Sequence, residues 1–235
     1  MPGSEVRPCS SSHARRHSVL VRLTHWVHAA ALFALIISGF AILVAHPRLY
    51  WGETGAVGMA SLIDLPLPFI LDGRSGWGRS LHFLSAWVYV LTGALYVVSG
   101  LFTQHFRRNL LPTRKELKWR AILRSLTTHI RLKRTEAEFM RYNPLQQVSY
   151  LVVIFVVSPL AVASGLAMSP AITSVIPRLV NCMGGQQSAR SIHFFVACSL
   201  VLFTAVHIVI VCLSGFMTRI RAITWGNQLA GGKNP

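Results

Sequence analysis

Four long stretches of the chain contain no charged residue, and this feature constrains the fold more than any other. Asp, Glu, Lys and Arg are all absent from residues 23–45, 80–106, 142–168 and 191–218. About 20 helical residues cross about 30 Å of hydrocarbon, so each stretch is long enough to span a bilayer. The sequence therefore predicts an all-α, polytopic membrane protein built as a bundle of four transmembrane helices.

The charge-free stretches and the turn signals beside them predict the domain organisation. One membrane domain covers 18–220, with helices at about 20–45, 79–104, 144–168 and 189–218. Pro144 suits a first helical position, and Pro159 predicts a break or kink in the third helix. We expect a flexible cytoplasmic N-terminus at 1–17, a basic cytoplasmic loop at 105–143 that suits a membrane-surface helix, and a cytoplasmic tail at 221–235.

The positive charges are distributed unevenly between the two sides of such a bundle. Eleven of the 23 Lys and Arg residues lie in 103–143, four in the first 22 residues and three after residue 218, against five in the other two loops. The positive-inside rule then predicts that both termini and the 103–143 loop are cytoplasmic. The net charge of +16 is explained by topology and by attraction to the lipid bilayer, so it does not indicate nucleic-acid binding.

Histidines inside the charge-free stretches are the strongest functional signal, because ionisable groups in a membrane helix are costly. Five of the ten histidines lie in or at the ends of the helices: His25, His28, His82, His193 and His207. His193 and His207 are fourteen residues apart, so they share a helix face and lie about 21 Å apart along the axis. One metal atom cannot bind both, and this spacing predicts two centres.

The helix directions supply a partner for each of these two histidines. His82 follows the outer start of the second helix at the depth of His193, and His25 follows the inner start of the first helix at the depth of His207. Two histidines at one level, contributed by different helices, match the two axial ligands of a low-spin haem. On depth alone, His28 is also a candidate for the inner level.

Other cofactors fit the sequence less well. A zinc site needs three or four ligands at one level. The four cysteines show neither the C-x-x-C nor the C-x-x-C-H spacing of iron–sulfur or covalent haem sites. Gly39, Gly93 and Gly100 lie near the faces that carry the histidines, where they would leave room either for a flat macrocycle or for close helix packing.

Several short motifs together resemble one family of membrane proteins: RLTHW (22–26), GRSLHF (78–83), FRRNLLP (106–112), YNPLQ (142–146), SGLAMSP (164–170) and QSARSIHF (187–194). They are similar to bacterial di-haem cytochrome b membrane subunits, most closely the thiosulfate-reductase type. The gamma subunit of formate dehydrogenase, the b-type subunit of nickel-iron hydrogenase and bacterial cytochrome b561 are related. The resemblance implies His25, and not His28, as the inner ligand, paired with His207, and implies His82 paired with His193.

The resemblance also implies a function. Such subunits pass electrons through two b-type haems between membrane quinone and an oxidoreductase subunit, here expected to be periplasmic and molybdopterin-dependent. The chain would lie in the bacterial inner membrane as an electron-transfer subunit. Four arginines at the helix ends are candidates for contacts with haem propionates, although snorkelling to the membrane surface explains them equally well: Arg22, Arg79, Arg190 and Arg219.

Two other functions are compatible with the same residues. The chain could itself be a haem b quinone oxidoreductase that acts on a small oxidant such as superoxide, in which case it needs no partner subunit. It could also be a non-redox anchor whose histidines only form hydrogen bonds between helices, which predicts a colourless preparation. The substrate of a partner, the direction of electron flow and the position of a quinone site do not follow from the sequence.

Overall fold

The computed structural model describes residues 18–54, 59–66, 76–104, 106, 111 and 144–226. Within this part of the chain, four helices are long and apolar enough to cross a membrane: Val19–Ala45, Gly76–Phe102, Gln146–Ala167 and Gln186–Leu213. The four-helix membrane bundle predicted from the sequence is thus confirmed. The N-terminal segment 1–17, nearly all of the basic loop 105–143, for which a surface helix is predicted, and the tail after residue 226 lie outside the described residues.

The described elements follow one another in the order α1 (Val19–Ala45), β1 (Arg48–Leu49), β2 (Ile63–Asp64), α2 (Gly76–Phe102), α3 (Pro144–Val152), a π-helical segment (Val153–Val157), α4 (Ser158–Ala167), α5 (Pro170–Val175), α6 (Pro177–Cys182), α7 (Gln186–Leu213) and α8 (Phe216–Thr224). The third span consists of α3, the π-helical segment and α4. Ser18 begins α1 by accepting a hydrogen bond from the Val21 N–H.

The structure differs from the predicted bounds of the last helix. The last span ends at Leu213 and not near residue 218, because Gly215 adopts a left-handed conformation (φ +90°) that turns the chain into α8.

The loops that join α1 to α2 and the third span to α7 contain short elements. β1 and β2 pair antiparallel and are two residues long, and α5 and α6 each begin at a proline.

The third span contains the irregularity that Pro159 predicts. Proline has no N–H, and its ring clashes with the carbonyl one turn earlier in a regular helix. Here the hydrogen-bond ladder lengthens just before the proline, and the Ser158 N–H donates to the Val153 carbonyl five residues earlier. A π-helical segment accommodates the proline within one continuous span.

The four spans pack as two helix hairpins, α1 with α2 and the third span with α7. Small residues let the helices approach closely, as membrane helices require: the Cβ that Gly78 lacks would lie 3.1 Å from the Ala41 Cβ. Large apolar side chains such as Phe40 and Trp87 are mostly exposed on the outer surface of the bundle, where lipid would cover them. We call the interface between the two hairpins the seam.

Hydrogen bonds tie the hairpins together at the end of the bundle that carries the two loops, which we call the loop end. The Gly52 carbonyl accepts from the backbone N–H groups of Gln187 and Ser188, and thereby caps the start of α7. The Ser191 hydroxyl donates to the Tyr50 carbonyl, 2.6 Å away. At the opposite, terminal end, which carries Ser18 and α8, the Arg22 guanidinium donates to the Thr224 carbonyl, 3.1 Å away.

Candidate haem-binding site

His82 is held against the neighbouring helix of its own hairpin. Its Nδ1 lies 3.0 Å from the Ser38 Oγ, and that hydroxyl donates its only proton to the Ala34 carbonyl, 2.6 Å away. The Ser38 oxygen can therefore only accept, so the Nδ1–H of His82 is the donor. This tautomer leaves the lone pair of Nε2 available as a metal ligand.

His193 is fixed in the same tautomer in the other hairpin. Its Nδ1 lies 3.1 Å from the Ser164 Oγ and 3.0 Å from the Ala161 carbonyl oxygen. A carbonyl has no proton to give, and Ser164 donates its own proton to the Leu160 carbonyl. His193 must then carry its proton on Nδ1, and its Nε2 is free to bind a metal.

A glycine follows each of these serines and makes space for the imidazole ring. A Cβ on Gly39 would lie 3.6 Å from the Cε1 of His82, and a Cβ on Gly165 would lie 3.3 Å from the Cε1 of His193. The Cβ on Gly165 would be tighter than ordinary contact with the ring, whereas the Cβ on Gly39 would be in ordinary contact. We call each hydroxyl residue and the glycine after it a histidine cradle.

The two cradled histidines meet across the seam at the loop end. The ring centroids of His82 and His193 lie 6.2 Å apart, with their planes at 70°. Two metal–imidazole bonds of about 2 Å each would place trans ring centroids about 6 Å apart. The separation and the two free Nε2 atoms therefore fit a pair of axial ligands to one iron, the arrangement that the sequence predicts.

The second predicted pair, His25 of α1 and His207 of α7, is positioned differently. Trp26 packs edge-on against His25 with ring centroids 5.4 Å apart, and Phe203 and Tyr150 lie 6.1 Å and 6.2 Å from His207. Neither histidine forms a hydrogen bond to another described residue, so aromatic packing orients this pair.

His28 belongs to neither pair, although it also lies in a cradle. Its Nδ1 is 3.1 Å from the Thr92 Oγ1, and a Cβ on Gly93 would lie 3.4 Å from its Cε1. Both cradle residues belong to α2, the helix beside its own. The motif resemblance implies His25, one helical turn away, as the partner of His207, and this pairing stays a prediction.

The four candidate arginines lie at the helix ends, two at the loop end and two at the terminal end. At the loop end, the Arg190 guanidinium donates to the His46 carbonyl, and the pKa of the His46 imidazole is lowered by partial burial and by the cations of Arg190 and Arg79. At the terminal end, the Arg22 Nε is buried and has no hydrogen-bond partner among the described residues. Arg219 lies in α8, whose last carbonyl Arg22 binds.

The sequence analysis missed the cradle residues Ser38, Ser164, Thr92 and Gly165. A partial signal was present, because Ser or Thr followed by glycine occurs five times inside the charge-free stretches, at 38–39, 92–93, 99–100, 164–165 and 214–215, and three of these glycines contact an imidazole. The glycines that were noticed serve close packing: Gly39 and Gly93 contact imidazoles, and a Cβ on Gly100 would lie only 2.4 Å from the Phe106 ring.

Comparison with known proteins identifies similar membrane cytochromes. Residues 16–226 match the sequence model described as prokaryotic cytochrome b561. The chain is 28% identical to a protein of Azospira oryzae named as a protein-methionine-sulfoxide reductase subunit, YedZ1, over 84% of this chain and 90% of that one. It is 24% identical to a protein of Cupriavidus necator named as a Ni/Fe-hydrogenase B-type cytochrome subunit, over 80% of this chain and 74% of that one. No solved structure matches the chain significantly.

Proposed function

The chain belongs to the prokaryotic cytochrome b561 family, and we propose that it carries electrons across the bacterial inner membrane through two b-type haems, between the quinone pool and a periplasmic oxidoreductase subunit. Membership of the family establishes a multi-pass b-type cytochrome that transfers electrons with haem b. The number of haems, the quinone and the kind of partner are the parts that we propose.

The loop-end pair carries the proposal. His82 and His193 each have Nδ1–H engaged within their own hairpin and ring centroids 6.2 Å apart across the seam. Both histidines link neighbouring helices through Nδ1, and because that nitrogen carries the hydrogen bond, the Nε2 of each ring remains available to a metal. When bound, haem b supplies a reversible one-electron change at its iron, and the protein supplies ligation and orientation.

The terminal-end pair supports a second haem. His207 lies fourteen residues after His193 on α7, which puts the two levels about 21 Å apart, close to opposite surfaces of the hydrocarbon. The buried Nε of Arg22 lacks a hydrogen-bond acceptor among the described residues, and a haem propionate would supply one. We assign the same role to Arg219 in α8, and to Arg79 and Arg190 at the loop end.

The orientation and the partners follow from charge and from the relatives. The excess of Lys and Arg in 103–143 and near both termini supports a cytoplasmic terminal end and a periplasmic loop end. Two relatives are named as subunits of a reductase and of a hydrogenase, which favours a partner oxidoreductase over a chain that acts alone. We propose a molybdopterin-dependent partner at the loop end and reaction with quinone near His207.

The first experiment is a haem-to-protein ratio from dithionite-reduced minus oxidised spectra of the purified chain, expressed with haem supplied. We expect two b-type haems, falling to about one in His207→Ala and to about one in His193→Ala, because each variant removes a ligand at a different level. His46→Ala is the matched control, since this exposed histidine at the end of α1 lies outside both pairs. A colourless wild-type protein, or variants that keep both haems, would contradict the proposal.

A further inference from the structure

His28 is held by the same kind of cradle as the two loop-end histidines, yet no histidine among the described residues pairs with it across the seam. Thr92 donates its hydroxyl proton to the Val88 carbonyl, 2.7 Å away, so its oxygen can only accept from the Nδ1–H of His28, 3.1 Å away. Gly93 makes room for the ring. His28 is therefore fixed in the Nδ1–H tautomer, and its Nε2 presents a lone pair.

The surroundings of His28 place it at the seam. Its ring lies against the face of Tyr89, with centroids 3.9 Å apart and planes tilted by 30°. The Tyr89 side chain is buried, and its hydroxyl is 2.8 Å from the Ser158 Oγ of the other hairpin. Because Tyr89 bridges the two hairpins, the imidazole that packs on it lies beside the interface that contains both histidine pairs.

The depth of His28 associates it with one level and not the other. His28 lies three residues after His25, about 4.5 Å along α1, and eleven residues before Gly39, about 16 Å away. Gly39 contacts His82 and so marks the loop-end level. The electrostatic influence of His28 on the terminal-end site must greatly exceed its influence on the loop-end site, because the field of a dipole falls steeply with distance.

We infer, on the basis of the proposed function, that His28 is a positioning residue that holds the midpoint potential of the terminal-end haem low. A neutral imidazole whose proton is held toward Thr92 has the negative end of its dipole at the Nε2 lone pair, and in the inferred arrangement this end faces the terminal-end haem. Such a dipole favours the ferric state, which carries one more positive charge than the ferrous state. The effect is strengthened by the low dielectric of the bundle interior. The Thr92 hydroxyl is essential because it determines which nitrogen carries the proton.

The test is a redox titration of the purified chain followed at the haem α band, in a His82→Ala background that retains only the terminal-end haem. We expect His28→Leu to shift the midpoint potential to more positive values, because the dipole is removed. Thr92→Val keeps the shape of the cradle but removes the acceptor, and we expect a shift in the same direction. Ser99→Ala is the control, since Ser99 and Gly100 form the same dipeptide on α2 but the glycine contacts Phe106.

The outcomes separate this inference from the proposed function. If His28→Leu shifts the potential but Thr92→Val does not, His28 acts through packing and the inference is wrong. It is also wrong if neither variant moves the potential, or if His28→Leu shifts the loop-end haem equally in a His207→Ala background. If the His82→Ala protein binds no haem, the same variants are made in the chain that keeps both haems, and the two midpoint potentials are resolved in one titration. A His82→Ala protein that keeps both haems instead contradicts the proposed ligand pairs.

Discussion

The imidazoles of His82 and His193 lie 6.2 Å apart across the seam with their planes at 70°, although they belong to different helix hairpins. Each ring is oriented inside its own hairpin, His82 by Ser38 of α1 and His193 by Ser164 of the third span. The hairpins thus determine how each ring is turned, and the seam determines how far apart the rings are. An iron between the two Nε2 atoms would link two units that are each already ordered.

The angle between these rings predicts a spectroscopic property. Axial imidazoles near perpendicular make the iron orbitals of a low-spin ferric haem nearly degenerate, so we expect a strongly anisotropic EPR signal for the loop-end haem. The measurement uses oxidised His207→Ala protein, which retains that haem alone. A rhombic signal of the kind given by parallel imidazoles would show that the 70° angle does not persist in the haem-bound protein.

The serines that accept the Nδ1–H of His82 and His193 predict a change in the midpoint potential of the loop-end haem. Removing the acceptor of a ligating histidine makes the imidazole a weaker donor to ferric iron, and typically costs about 10- to 100-fold in metal affinity or activity. We expect Ser38→Ala to raise the midpoint potential of the loop-end haem, and Ser164→Ala to raise it less, because the Ala161 carbonyl still accepts from the Nδ1–H of His193, 3.0 Å away. Potentiometric titration of the chain with both haems checks this, with Ser99→Ala as control. Unchanged potentials in both variants would mean that the serines do not act on the iron.

The two loop-end glycines predict a graded steric effect. A Cβ on Gly165 would lie 3.3 Å from the His193 ring, tighter than ordinary contact, whereas a Cβ on Gly39 would lie 3.6 Å from the His82 ring. We expect Gly165→Ala to displace the ring and to change the α band of the loop-end haem, and Gly39→Ala to leave that band unchanged. Visible spectra of both variants test this. The reverse ranking would show that the rings occupy other positions when haem is bound.

Gly185 predicts a loss of stability at the loop end. Its φ of +106° is a conformation that residues with a Cβ rarely adopt, and a Cβ there would lie 2.5 Å from the Gly52 carbonyl oxygen. Backbone strain alone costs about 1–3 kcal/mol, so Gly185→Ala should lower the melting temperature in detergent. Gly76→Ala is the control, because a Cβ at Gly76 would meet nothing within 4 Å. Equal melting temperatures of the Gly185→Ala and Gly76→Ala proteins would mean that the Gly52 loop can move away from the start of α7 without loss of stability.

Most of the bundle and the histidine pairs could be predicted from the sequence, whereas the cradles could not. Hydrophobic length predicts the spans, and helical periodicity places His193 and His207 on one face. The contact between Ser38 and His82 joins residues 44 positions apart, and it depends on how α1 and α2 are rotated about their axes. A serine in a membrane helix has several possible partners, and its sequence context alone does not distinguish between them.

The sequence by itself determined the number of spans, the two levels of histidines and the uneven distribution of positive charge, because each of these depends on a single segment and on the regular rise of a helix. Only the tertiary structure decided that Thr92 contacts His28, that Ser38 and Ser164 contact the Nδ1 atoms of His82 and His193, and that the Gly52 loop caps α7. The physical reason is that each depends on the packing of two or more helices, and a rotation of one helix by a single residue, about 100°, would change every such contact.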